Sequence, residues 1–112
     1  MKKGEIWLIN LDPTIGAEIS KTRPALILNE DGFGKLPLRI VAPITAWRDR
    51  YRLAEWMVFV PSDDTSGLDK NSTVDCFQTR SVDERRMVRR IGQATPEVME
   101  KVGESLTAVL DL

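Results

Sequence analysis

The chain has 112 residues, enough for one domain (1–112) and one small core, and short enough that pairing with a second copy would add stability. Lys and Arg total 16 against 17 Asp and Glu, a balance that argues against a protein coating nucleic acid non-specifically. Histidine is absent and Cys76 is the single cysteine, which excludes Ser-His-Asp and Cys-His triads, paired-His acid–base chemistry, His-based zinc, a thiolate cage and any intramolecular disulfide.

The elements follow in chain order. Glu5–Leu11 is rich in Ile, Leu and Trp and is predicted as a strand. Asp12-Pro13 and Gly16 open a loop to Thr22, and Pro24–Leu28 forms a short apolar second strand. Asn29–Pro37, with Gly32, Gly34 and Pro37, is a loop. Arg39–Ile44 is a third strand, in which Pro43 calls for an edge or a bulge. Thr45–Arg52 is a polar loop, Glu55–Pro61 a fourth strand, Ser62–Lys70 a turn region around Asp63-Asp64, and Ser72–Gln78 a fifth strand. Trp7 and Trp56 fall within apolar strands as expected core, and so does the Cys76 thiol. Ser81 and Glu84 have capping-box spacing, which predicts a short helical turn. Met87–Ile91 is a possible sixth strand. Thr95-Pro96-Glu97 then starts a helix, with Val98, Val102, Leu106, Val109 and Leu110 along one stripe. Strands followed by one helix predict a mainly β fold, a small curved sheet or partly open barrel with the helix laid on it. With no signal peptide and no apolar run of membrane-span length, no membrane partner is expected, and the chain reads as cytoplasmic.

The chemistry concentrates on a few positions. Arg23 stands where a loop enters a strand, held by a scaffold yet open to solvent. If the second and third strands are antiparallel neighbours, Thr45 stands beside it. A guanidinium fork with a hydroxyl suits a phosphodiester. RNA brings its own nucleophile, the 2′-hydroxyl, so a site without histidine can cleave it by alignment and charge stabilisation. Trp47-Arg48-Asp49-Arg50-Tyr51-Arg52 interleaves aromatics with arginines, a pattern suited to single-stranded nucleic acid. Gln78 and Arg80, at the end of the fifth strand, suit a base edge and a phosphate. Each has a plain alternative: Thr45 as a turn residue, Trp47–Arg52 as a solvated charged loop, Gln78 and Arg80 as structural. The acidic residues form no tight metal-binding cluster in the sequence.

These residues resemble the MazF/PemK family of bacterial toxins. The resemblance rests on Gly4-Glu5-Ile6-Trp7, Leu11-Asp12-Pro13 with Gly16-Ala17-Glu18, Arg23-Pro24, Ile44-Thr45-Ala46, Gly67–Ser72, Gln78–Asp83 and the helix from Thr95, in that order and spacing. It implies an SH3-like small barrel of CcdB/MazF type with a C-terminal helix, assembled as a homodimer. It also implies a metal-independent, cofactor-free endoribonuclease that cuts single-stranded mRNA within a short sequence, leaving 2′,3′-cyclic phosphate and 5′-hydroxyl ends. A cognate antitoxin would neutralise it, and DNA would be met only indirectly, through the toxin–antitoxin complex. The family's catalytic Arg and Thr map to Arg23 and Thr45, and its loop acid to Glu18. Two departures, Ile19–Thr22 in place of a Gly-rich loop and Pro43 in place of Ala, bear on groove width and so on the sequence cut. The rival expectation, on the same fold, is a non-catalytic toxin that binds DNA gyrase.

Overall fold

In a computed structural model that describes residues 1–33 and 35–112, the chain forms an antiparallel sheet with a C-terminal helix packed on it. Gly34, in the predicted loop 29–37, lies outside the described residues. The strands are β1 (Glu5–Asn10), β2 (Thr22–Ile27), β3 (Leu38–Ala46), β4 (Met57–Val60), β5 (Ser72–Asp75), β6 (Arg80–Asp83) and β7 (Met87–Gln93); the helix α1 is Pro96–Leu110. The sheet runs β4-β5-β3-β2-β1-β7, with β6 on β3. Among the described residues β4 and β7 do not pair, so the expected barrel is an open, mostly β sheet.

β3 is the hub. One side pairs with β2, at Ala25–Pro43, Leu26–Ala42 and Ile27–Val41. The other side pairs with β6 from Leu38 to Val41 and with β5 from Ile44 to Ala46. Pro43 is therefore buried in a central strand, not on an edge. It sits in the gap where β3 exchanges one neighbour for the other, a place where a missing N–H is tolerated.

Two cores lie on the two faces of the sheet. Ile6, Leu26, Ala42, Ile44, Val58, Val74 and Cys76 meet Val98 and Val102 of α1 on one face. Ile9, Leu11, Ala25, Ile27, Val41 and Val82 form the other, with Ile19 and Met87 packed against them. Burial on both faces explains why β2 and β3 read as unbroken apolar runs instead of alternating. Each buried Val or Leu contributes roughly 1.5–3 kcal/mol.

The helix starts as predicted. Thr95 caps it, with its hydroxyl accepting the Val98 N–H at 3.2 Å, and Pro96 occupies the first turn. The stripe differs at its end, where Leu110 is exposed and Ser105 is buried instead, donating to the Glu55 carbonyl at 2.7 Å. The predicted turn at Ser81 is strand β6, because the free side of β3 offers ladder hydrogen bonds that outweigh a local cap. The 3₁₀ turn comes three residues later, at Glu84–Arg86, and Asp83 caps it. The fifth strand stops at Asp75, whose carboxylate accepts the Phe77 N–H at 3.1 Å and starts a 3₁₀ turn over Cys76–Gln78. Cys76 is buried, and burial pushes its thiol up, against a Ser105 hydrogen bond and with Asp75 adding to the rise. Trp7 and Trp56 are not deep core. Trp7 is half-buried, donating to Glu5 at 3.0 Å, and Trp56 precedes β4 in an exposed turn.

One close approach depends on two glycines. The loop after β4 rides against β7, tied by the Gln93 N–H to the Thr65 carbonyl at 2.9 Å. A Cβ on Gly67, whose φ is +69°, would lie 1.8 Å from the Ile91 carbonyl oxygen; one on Gly92 would lie 2.1 Å from that of Ser66.

Candidate active site

The last residue pair of the β2–β3 register is Ala25 with Pro43; Arg23 lies two residues before Ala25 and Thr45 two residues after Pro43, at the same end of the two strands. The two residues expected at one rim line the same cleft. Arg23 is half-buried, and its Nε–H donates to the Ser20 carbonyl at 3.0 Å. Among the described residues its two terminal nitrogens, like the Thr45 hydroxyl, have no protein partner. The guanidinium is held at its neck with its fork free.

Arg23 and Thr45 line a cleft of about 510 Å³ with Thr22, Ala46 and Leu8; Gly67, Leu68, Asp69, Lys70 and Arg89 line it as well. Lys70 and Arg89 were not singled out from the sequence. Arg89 lies within the Arg-rich segment 80–90, whose members have different roles. Arg85 pairs with Asp83 at 3.0 Å and Arg90 with Glu5 at 3.4 Å. Arg86 donates to the carbonyls of Asn10 and Asp12. Arg89 alone of these lines the cleft, and only the pairing of Leu8 with Arg89 shows it.

Glu18, Gln78 and Arg80 line a second cleft, also of about 510 Å³, with Ile15, Ala17, Ile19 and Pro43. It adjoins the first across β3, Pro43 lining one and Ile44 the other. Glu18 is exposed and accepts the Ile15 N–H at 2.7 Å. Gln78 and Arg80 are both tied to the β1–β2 loop. The Ile19 N–H donates to Gln78 Oε1 at 2.6 Å, and Gln78 Nε2 donates to the Ala17 carbonyl at 3.3 Å. Arg80 Nη1 donates to the Leu11 carbonyl at 3.1 Å. Both side chains hold the β1–β2 loop.

The aromatic–basic segment lies elsewhere. Trp47, Tyr51 and Arg52 line a third cleft, of about 410 Å³, between β4 and α1. The Trp47 ring is half-buried, edge-to-face with Phe59 at 5.1 Å and Tyr51 at 6.1 Å. Arg50 lies over the Tyr51 ring at 5.3 Å, Arg52 reaches Asp49 at 4.0 Å, and Arg48 is exposed. Among the described residues no three metal-ligating side chains cluster.

A small open β-sheet with one packed helix, carrying Arg23 and Thr45 in one cleft with Lys70 and Arg89, defines a class of small, mostly β proteins. The family model described as PemK-like, MazF-like toxin of type II toxin-antitoxin system matches residues 2–110, and the chain belongs to that family. It is 35% identical over 112 residues to the endoribonuclease PemK of Escherichia coli, covering 98% of this chain and 82% of PemK. The crystal structure of MazF from Deinococcus radiodurans superimposes with a TM-score of 0.85 at 24% identity, over 100% of this chain and 97% of that one. A mycobacterial endoribonuclease solved in complex with its cognate antitoxin gives 0.80 at 18% identity, over 100% and 96%.

Proposed function

We propose that the protein is the toxin of a type II toxin–antitoxin module, a metal-independent endoribonuclease that cuts single-stranded RNA. The observation that carries this is that Arg23 and Thr45 share one cleft: a guanidinium anchored through Nε whose terminal nitrogens, like the Thr45 hydroxyl, have no partner among the described residues. In the proposed step the RNA 2′-oxygen bonds to the adjacent phosphorus as the bond from phosphorus to the 5′-oxygen breaks. The 2′ proton leaves to solvent, and the departing 5′-oxygen takes one up. Arg23 stays charged throughout, since guanidinium does not deprotonate in proteins, and stabilises the phosphorane through its fork. Thr45 orients a non-bridging oxygen. The products are a 2′,3′-cyclic phosphate and a 5′-hydroxyl.

Lys70 and Arg89 would hold neighbouring phosphates along the same cleft. Glu18 would align the strand from the β1–β2 loop. Trp47, Arg48, Arg50, Tyr51 and Arg52 would extend the RNA path, the arginines through phosphates and the rings through stacking. Relatives carrying endoribonuclease names support this reading, and none of those described above supports gyrase binding. The antitoxin-bound mycobacterial relative supports neutralisation by a cognate antitoxin. The active unit is a homodimer in the cytoplasm; among the described residues no helix is long and apolar enough to cross a membrane. Sedimentation at micromolar concentration tests the dimer. The functional test is end-mapping of RNA incubated with purified protein and EDTA. Fragments with 5′-hydroxyl ends at one short sequence are expected, and intact RNA, or cutting restored only by Mg²⁺, overturns the reading.

A further inference from the structure

The β1–β2 loop has little regular structure of its own, yet side chains far away in sequence tie it down. Gln78, at the end of the Cys76–Gln78 turn, is bound to it twice. Its Oε1 accepts the Ile19 N–H at 2.6 Å, and its Nε2 donates to the Ala17 carbonyl at 3.3 Å. The orientation of the amide is fixed chemically. An N–H needs the oxygen and a carbonyl needs the NH₂, so a flipped amide would break both bonds. The residue after Ile19 is Ser20, and the Ser20 carbonyl receives the Arg23 Nε–H at 3.0 Å.

We infer that Gln78 is a positioning residue: by clamping Ala17 and Ile19 it fixes the Ser20 carbonyl, and that carbonyl aims the Arg23 fork at the scissile phosphate. The inference rests on the endoribonuclease reading above. A guanidinium held at Nε loses most of its swing, so both terminal nitrogens face one direction before RNA arrives. Preorganisation of this kind acts on the reaction step more than on affinity. It also gives Gln78 a role other than reading a base edge.

Two measurements test it. In the first, Gln78→Met keeps the length of the side chain and loses both hydrogen bonds, while Gln78→Glu keeps the acceptor but turns an oxygen toward the Ala17 carbonyl. Both should lower kcat about 10- to 100-fold with KM changed less than about threefold. Arg23→Lys has no Nε to be held, so adding Gln78→Met to it should cost no further activity. A KM rise with kcat unchanged, an unaltered kcat, or the same fold-loss in the Arg23→Lys background overturns the inference. In the second, the Arg23 Nε–H resonance of the free protein, shielded by its bond to Ser20, should be sharp in the wild type and lost in Gln78→Met, with melting temperature nearly unchanged. Its persistence in Gln78→Met overturns the inference whatever the enzyme does. A wild-type protein with this coupling that leaves RNA whole instead overturns the endoribonuclease reading, and with it the catalytic purpose of the clamp.

Discussion

Two loops, one leading into Arg23 and the other following Thr45, are ordered in opposite ways. The loop from Leu11 to Lys21 is fixed from outside, by Gln78, Arg80, Arg86 and Arg23 acting on its backbone. The loop from Trp47 to Trp56 is built on its own rings and 3₁₀ turn, with Phe59 packed on Trp47 and backbone or hydroxyl ties at its ends to Asn71, Cys76 and Ser105. The first is a frame adjusted by distant polar groups, and the second is a self-packed knob. A polar side chain bound to a backbone fixes direction, whereas an aromatic cluster supplies stability and surface. Catalytic precision is therefore expected beside the first loop and tolerance to change around the second.

The largest expected effect breaks the first region. Arg23→Ala should lose about 100-fold or more in activity with its melting temperature preserved, as removal of a preorganised charge stabiliser does; near wild-type cleavage would remove Arg23 from the mechanism. Next comes the knob. Trp47→Ala should cost roughly 2 kcal/mol of stability, because two edge-to-face contacts add about 0.5–1.5 kcal/mol each beyond burial. Denaturant unfolding measures this, and a loss of RNA affinity without a loss of stability would make the ring a base platform instead. Thr45→Val keeps the shape and removes the hydroxyl, for an expected loss of about 1.4 kcal/mol, or tenfold in rate; full activity would leave the hydroxyl without a role. Replacing Arg48, Arg50 and Arg52 by Gln should flatten the salt dependence of RNA binding by about 2 in log–log slope, with no change in the sequence cut. An unchanged slope would show that these arginines face only solvent.

The smallest effect is a pH term. Burial raises the Asp75 carboxyl above its ordinary value of 3.8, against the Phe77 and Gln78 donors that lower it. The folded state then holds that proton more tightly than the unfolded chain. This contribution to stability is complete below 3.8 and is lost as pH rises through the raised folded value. Asp75→Asn removes the term, so its melting temperature relative to wild type should climb across that window and then stay level. A flat difference would count against the shift.

The sequence disclosed those features whose signals are local. The Thr95-Pro96 start of α1, the apolar runs of β2 and β3, and the shared cleft of Arg23 and Thr45 all follow from adjacent residues and one antiparallel step. It concealed those that depend on a partner distant in sequence. β6 looked like a helical turn because the open side of β3, about 40 residues earlier, cannot be seen from Ser81. Arg89 sits among other arginines of segment 80–90, and only its pairing with Leu8 turns it to the cleft. Gln78 had the composition of a base reader, and its two bonds to Ala17 and Ile19 span about 60 residues. Trp47 kept its aromatic–basic signature while its ring was already occupied by Phe59.

The meeting of Gly67 and Gly92 concerns the width of the cleft. One wall, Gly67–Lys70, hangs from a contact in which backbone meets backbone with no side chain between. The position of this wall is therefore set by two missing methyl groups. An alanine at either position would act as a wedge, prising the wall from β7 and moving Lys70 relative to Arg23. Such a variant should still cut, but with a looser choice of sequence. The width of this cleft is a dimension written in glycine, adjustable without touching any of its charged groups.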